Sequence, residues 1–342
     1  MKKFKPFVLL ASSLLSVTLI VPSVLVLPFA EGKTNGKLGE NLTQAPTKDT
    51  TTTSAERTVD IAVYRANKGK IETVTLEDYL VGVVAAEMPA DFNEEALKAQ
   101  ALTARTYIVH KMVTNDTLGV PKGAQVNDTV SNQVYENNDD MKRNWGMDYD
   151  WKRKKILDAV RATSGQILTY KGEPITATFF STSNGYTENS EDYWGGSYPY
   201  LKSVSSPWDK NSPKFYSQKV VSVRDFEAKL GVKLGGGSTI GKIVDRTAGK
   251  RVGKVDFNGK VLSGKDIRDK LDLRSSDFTW SRKGSSIIIS TKGYGHGVGM
   301  SQYGANGMAA EGKNYQDIVK YYYQGVDITK ADSMLATITA KK

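Results

Sequence analysis

The chemistry open to this 342-residue chain is set first by what it lacks. It has no cysteine and two histidines, His110 and His296. Disulfides, thiol nucleophiles and thiolate metal sites are therefore excluded. A zinc site of several imidazoles is impossible, and any Ser-His-Asp triad must use one of those two rings. Carboxylate chemistry remains as the default for an enzyme, and among the carboxylates Glu87 is unusual. It stands in VGVVAAEMPADF (81–92), behind a run of small and apolar residues and two positions before a proline. An ionised carboxyl in such surroundings costs several kcal/mol or stays protonated.

The local pattern says which element carries it. Thr75 with Asp78 three positions on is a capping-box start, LEDYLVGVVAAE continues as helix over 76–87, and Pro89 turns Met88 out of the helical region. Glu87 then closes the helix, where the macrodipole is negative and the neighbours are apolar, and both raise its pKa. A carboxyl held protonated near neutral pH is what a general acid needs. The plainer reading, an exposed glutamate paired with a lysine, stays open on these residues alone. A second helix follows over 94–112: Asn93 can cap it, and Leu97, Ala101, Ala104, Ile108 and Met112 make one apolar stripe. Arg105 borders that stripe and either points into a site shared with Glu87 or lays its stem over the core. His110, on the same helix, is most simply a surface or satisfied residue.

Three later stretches are unlike ordinary loops. ITATFFSTSNGYTENSEDYWGG (175–196) runs an apolar strand into Ser181, Thr182, Ser183 and Asn184, then into aromatic and acidic residues; YPYLKSV follows with Tyr200 and Lys202. Hydroxyls, amides and aromatic faces together suit sugar recognition, although a polar loop with no ligand has the same composition. STKGYGHGVGMSQYGANGMAAEG crowds glycines around His296 ahead of a helix opening near Met300, which brings backbone close to something. The spacing is not that of a phosphate-binding loop ending in Gly-Lys-Ser/Thr.

The rest of the chain must hold these residues. An uncharged stretch from Pro6 to Ala30 behind Lys2, Lys3 and Lys5 is long enough to span ~30 Å of hydrocarbon. The lysines orient it with the remainder outside the cytoplasm. An uncleaved anchor over 1–30 is expected, because a cleaved signal has a shorter apolar region and PFA is a poor cleavage site. Residues 31–57, rich in Thr, Gly, Asn and Lys, read as a flexible linker. The 39% of apolar residues suffices for a core, and 47 basic against 37 acidic side chains suit a polyanionic partner without choosing which. The fold class expected is α+β: a mixed helix and antiparallel-sheet body over 58–330, with a smaller inserted α/β lobe at about 207–285 and a cleft between them, then a tail over 331–342. A hairpin should open the body from Val59, with a turn at Asn67–Gly69. Helices should follow at 76–87, 94–112, 150–163, 300–311 and 315–324 around strands at 166–180. In the lobe, strands SQKVVSV, GKIVDR and GKVDF alternate with two short helices started by Ser222 with Asp225 and Ser263 with Asp266.

Taken together, AAEMP with ALKAQALTARTY, FFSTSNGYTENSEDYW, PYLKSV and GYGHGVGMSQYGA, in this order behind an anchor, resemble the stage II sporulation protein D family over roughly residues 58–325. Any one motif is weak, but four in order are specific. The resemblance implies a lytic transglycosylase that cuts peptide-stripped peptidoglycan strands during forespore engulfment, lodged in the mother-cell membrane by its N-terminal helix. It implies Glu87 as the catalytic acid, with Arg105, Ser181, Ser183, Tyr200, Lys202, His296, Gln302 and Tyr323 on the substrate. Stage II sporulation protein P, an amidase/endopeptidase, and the membrane protein stage II sporulation protein M are the implied partners; nucleic acid is not. Some relatives carry a zinc-holding cysteine before Gln-Val-Tyr, where NQVY has Asn132, so neither metal nor cofactor is expected. Two rival functions are a glycan-binding enhancer of an amidase, and a lysozyme-like hydrolase using Asp91, Glu188 or Asp192 as a second carboxyl. The anchor carries its own test: the mature protein should keep its N-terminus and partition with membranes, and a mature chain starting at Glu31 would overturn it.

Overall fold

A computed structural model describes residues 59–235 and 237–340. The expected anchor and linker lie outside them, and among the described residues no helix is long and apolar enough to cross a membrane. The architecture is mixed α and β with several small sheets.

Alternating burial in DIAVYR makes β1 (Asp60–Arg65), which pairs antiparallel with β2 (Lys70–Thr75) across a turn at Gly69. The Thr75 side chain then accepts from the Asp78 N–H and starts α1 (Leu76–Glu87). α2 (Glu94–Thr114), capped by Asn93, runs through the centre. It is lined by Ala96, Ala99, Ala101 and Ala104, all fully buried, so neighbours can approach on several sides. Around it pack α1, α4 (Tyr149–Ala162), strand β4 (Gln166–Tyr170), and the later helices α8 (Gln302–Ala310), α9 (Tyr315–Tyr322) and α10 (Asp332–Ala340). The segment expected as a tail thus includes a helix. Short pieces fill the gaps: β3 (Val126–Asn127), α3 (Asn138–Trp145), β5 (Glu173–Pro174), β6 (Phe179–Phe180), α5 (Ser190–Trp194), β13 (Met300–Ser301) and β14 (Asp327–Lys330).

Two pairings depart from the expected antiparallel sheet. β3 lies parallel to β1, and β13 parallel to β6. Both join segments far apart in sequence, which an alternation pattern does not reveal. The second of them joins the serine-rich stretch to the glycine-rich one.

A separate group of buried residues, including Phe226, Val255, Phe257, Ile267, Phe278, Ile287 and Ile289, draws on later elements. These are β7 (Tyr216–Ser222), α6 (Val223–Leu230), β8 (Lys242–Arg246), β9 (Val252–Phe257), β10 (Lys260–Ser263), α7 (Gly264–Leu271), β11 (Phe278–Lys283) and β12 (Ser286–Lys292). Ser222 and Ser263 cap α6 and α7 as their spacing predicts. The sheets run in the orders β10-β9-β8 and β11-β12-β7.

One glycine couples the fold to Glu87. Gly82, mid-way along α1, lies against residues 135–136: its carbonyl accepts from the Glu136 N–H at 3.2 Å. A β-carbon at residue 82 would run into the Glu136 carbonyl oxygen and the Tyr135 ring. Gly82→Ala gains about 1 kcal/mol of helix propensity, but overpacking against backbone costs about 1–3 kcal/mol. Urea denaturation should therefore show a net loss of stability, and an unchanged or raised midpoint would contradict this packing.

Candidate active site

The site is built where α1 ends. Met88 leaves the helical region with φ −127°, as Pro89 dictates, and Met88, Ala90 and Phe92 turn into the core. Glu87 is thereby half-withdrawn from water beside the segment Asn132–Glu136. Its Oε1 accepts from the Val134 N–H at 2.9 Å. Burial pushes the carboxyl up to about 6, and the Val134 N–H limits the rise by favouring the charged form. The expected direction holds, with desolvation as the leading cause.

Two glutamines, Gln302 and Gln100, lie by the Glu87 backbone, and a third, Gln133, is in the 132–136 segment, the strap that carries the Val134 donor. Gln302, at the start of α8, donates to the Glu87 carbonyl oxygen at 3.0 Å and to Gln100 Oε1 at 3.4 Å. This bond satisfies a carbonyl at a helix C-terminus, where intrahelical partners run out. Tyr79 donates to Gln133 Oε1 at 3.1 Å and stacks on Tyr135 with ring centres 5.6 Å apart. The Arg65 guanidinium lies 5.1 Å over Tyr135. It also pairs with Glu72 (2.9 Å), Asp128 (2.8 Å) and Asp140. The strap is therefore held from both ends. The Nε2 atoms of Gln100 and Gln133 are buried with no hydrogen-bond partner. Nothing in the sequence singles out Gln100, Gln133 or Val134. NQVY stands out only through the resemblance to relatives with a metal-holding cysteine, and backbone donors leave no mark in composition.

Three expected residues meet on the segment 176–179. Tyr200 accepts from the Thr176 N–H at 3.1 Å, and Tyr323 donates to the Thr178 carbonyl at 2.7 Å. His296 bonds to the Phe179 backbone. Its Nδ1 accepts from the Val298 N–H at 3.0 Å, so the neutral ring carries its proton on Nε2. Burial and the nearby Arg268 and Arg251 push His296 down to about 3. Trp194, Phe180 and Tyr193 surround it, with ring centres 5.3, 5.7 and 5.8 Å away. Its role is thus confined to the neutral form at physiological pH. Ser181 is half-buried, and its carbonyl accepts from the Tyr303 N–H at 3.1 Å, next to Gln302. Lys202 is partly exposed and donates to Glu191 at 2.5 Å and Ser197 at 3.2 Å.

Arg105, Ser183 and Tyr323 differ from the expectation of substrate contact. Arg105 is fully buried in α2, bound to Glu77 and donating to the Val160 carbonyl at 3.0 Å. Glu77 sits ten residues before Glu87 on α1, about 15 Å along the helix, so the guanidinium serves the opposite end. Ser183 donates to Asp209 Oδ2 at 2.8 Å in a fully buried cluster with Ser206 and Ser301. Tyr323 is also fully buried. No surface of these three side chains is open to a ligand, and what they contribute is position.

The chain is 53% identical to stage II sporulation protein D of Bacillus amyloliquefaciens, over 99% of this chain and all of the relative. It is 52% identical to stage II sporulation protein D of Bacillus subtilis (strain 168), over 99% of this chain and again all of the relative. This chain belongs to the stage II sporulation protein D family. The family described as Stage II sporulation protein matches residues 64–170, which span Glu87 and its strap. The amidase enhancer of Bacillus subtilis (strain 168) is 31% identical over 73% of this chain and 40% of its own length.

In this member of the family, the raised Glu87 pKa has a stability consequence. The folded value of about 6 lies above the ordinary 4.5. The folded chain therefore holds the extra proton between those values, and Glu87 weakens stability as pH rises through that window. Glu87→Gln should stabilise the fold by up to about 2 kcal/mol at pH 8 and by little below pH 4.5. Thermal melts of both proteins across pH 4–8 check this; a gain of the same size at every pH would contradict it.

Proposed function

We propose that this chain is a membrane-anchored lytic transglycosylase acting on peptide-stripped peptidoglycan strands during forespore engulfment, with Glu87 as its acid and base. The supporting observation is a carboxyl pushed up to about 6, fixed by one backbone N–H, at the end of a helix whose last carbonyl is held by Gln302. Such a group is partly protonated near neutral pH and can both give and take a proton. It protonates the glycosidic oxygen leaving N-acetylmuramic acid, and an oxocarbenium-like sugar develops. The same carboxylate then accepts the proton of that sugar's 6-hydroxyl, whose oxygen closes onto C1 to give a 1,6-anhydro end. The nucleophile belongs to the substrate, so no second enzymic carboxylate is needed.

Glu188, the most buried of the rival carboxylates, is committed elsewhere. It accepts from the Gly249 N–H (3.0 Å), the Asn189 N–H (3.1 Å) and the Thr247 hydroxyl, 3.8 Å from Arg251. A base so occupied is poorly placed to activate water, which counts against the lysozyme-like reading. The resemblance to an amidase enhancer keeps one other reading: a glycan-binding subunit that stimulates an amidase without cutting. The polymer is proposed to run in a cleft between the main body and the 216–292 elements. The N-terminal segment would hold the enzyme in the mother-cell membrane beside stage II sporulation proteins P and M.

Incubation of residues 58–342 with peptide-free strands should release fragments with anhydro ends, each lighter by one water than a hydrolytic product, with no heavy oxygen incorporated from labelled water. Glu87→Gln should lower the rate by about 10² to 10⁴. The parental rate should fall as pH rises above about 6, where the acid form is lost. Reducing ends would support the hydrolase, and binding without fragments would support the enhancer.

A further inference from the structure

A line of aromatic rings and cations leads away from Glu87. Phe92, five residues past the acid, meets Tyr303 edge-on with ring centres 4.9 Å apart. Tyr303 directly follows Gln302, the residue that holds the Glu87 carbonyl. The Lys214 ammonium lies 5.9 Å from the Tyr303 ring centre and 5.6 Å from that of Tyr294. The Arg274 guanidinium lies 5.3 Å from the Tyr294 centre. Tyr294 is 39% exposed, yet its backbone is fixed, exchanging hydrogen bonds with Thr182 at 2.7 and 3.0 Å. The Gly295 N–H donates to the Arg274 carbonyl at 3.0 Å, tying the two segments together.

Two other cations here are already committed. Lys219 and Arg268 border a cavity of about 460 Å³ with Arg274 and Tyr294. Lys219 pairs with Asp272 at 3.0 Å, and Arg268 donates to the Tyr193 hydroxyl at 2.7 Å. Among the described residues, Lys214 and Arg274 have no carboxylate within ion-pair reach. Two like charges drawn to one ring repel each other, and the ring's attraction for each is modest at an exposed site. An anion between them would remove the repulsion.

We propose that Lys214 and Arg274, held beside the Tyr294 ring, form a distal subsite for an anionic glycan, in which the two cations bind free lactyl carboxylates. The inference rests on the glycan-strand reading of the Glu87 site. It gives a physical reason for selecting stripped strands: each lactyl carboxylate is masked by an amide while its stem peptide is attached. The subsite holds a strand whose scissile bond lies at Glu87.

The test uses the full chain carrying Glu87→Gln, so that bound strands stay intact, with and without Lys214→Gln and Arg274→Gln together. Matched thermal midpoints show that both proteins are folded. With peptide-free strands in low salt, the double change should weaken binding about tenfold. The difference should vanish when the lactyl carboxylates are amidated, and shrink at about 1 M salt, where the screening length is ~3 Å. Equal affinity of the two proteins would overturn the subsite. So would an equal loss on amidated strands, or an equal loss for single-stranded DNA, which would mark a general polyanion patch. Cleavage by the parental chain is scored separately. Binding through these residues without cutting removes the lytic reading alone, whereas cutting with no difference in binding removes the subsite alone.

Discussion

Everything in the main body depends on a helix that has to be buried on several sides at once. α2 meets this requirement with alanines, which let α1, α4, β4, α8 and α9 approach it. Its polar residues must then find partners inside the protein. Arg105 finds Glu77 and the Val160 carbonyl, and Thr106 serves β4 by accepting from the Leu168 N–H at 2.9 Å. Gln100 meets Gln302. The packing that buries α2 thereby brings α1 and α8 together, and with them Glu87 and Gln302.

The site itself is a set of bonds between segments distant in sequence. Glu87 is reached by Val134 from one side and by Gln302 from another. Gly82 sets how closely the strap can approach α1, and Arg65 holds the strap through Tyr135 and its three acidic partners. A carboxyl supported in this way can carry a raised pKa without collapsing onto a lysine, because the folded positions of its neighbours put a single backbone donor within reach. The cost is partial burial of a charge above pH 6, which a fold can tolerate when the rest of it is well satisfied.

The glycine-rich stretch around His296 follows the same logic. Gly297 has φ 89°, and a β-carbon there would strike the Arg251 guanidinium. Gly299 has φ 82° and lies against the Thr178 carbonyl. The glycines let the 293–299 backbone pass between a buried arginine and the 176–180 segment, and the ring of His296 then locks onto Phe179. The structure therefore turns the close approach read from composition into a specific one: backbone against protein.

Local elements were legible because their causes are local. The Thr75–Asp78 cap, the break at Pro89, and the caps at Ser222 and Ser263 fix the ends of α1, α6 and α7 within a few residues. They also put Glu87 at a helix end among apolar neighbours, which is why its raised pKa could be argued from sequence. The β11–β12 hairpin, turning at Gly284 with φ 57°, is not legible in the sequence because its strands differ: β11 alternates, whereas SIIISTK is continuous in its apolar centre. The choice between a contacting and a supporting role could not be made from residue type. Arg105, Ser183 and Tyr323 have side chains that suit a substrate, yet each is buried on a protein partner. Composition and spacing determined which chemistry was possible and which element bears Glu87. Only the tertiary structure decided which groups surround it, because hydrogen bonds between residues such as Glu87 and Gln302 depend on long-range packing that leaves no periodicity in the chain.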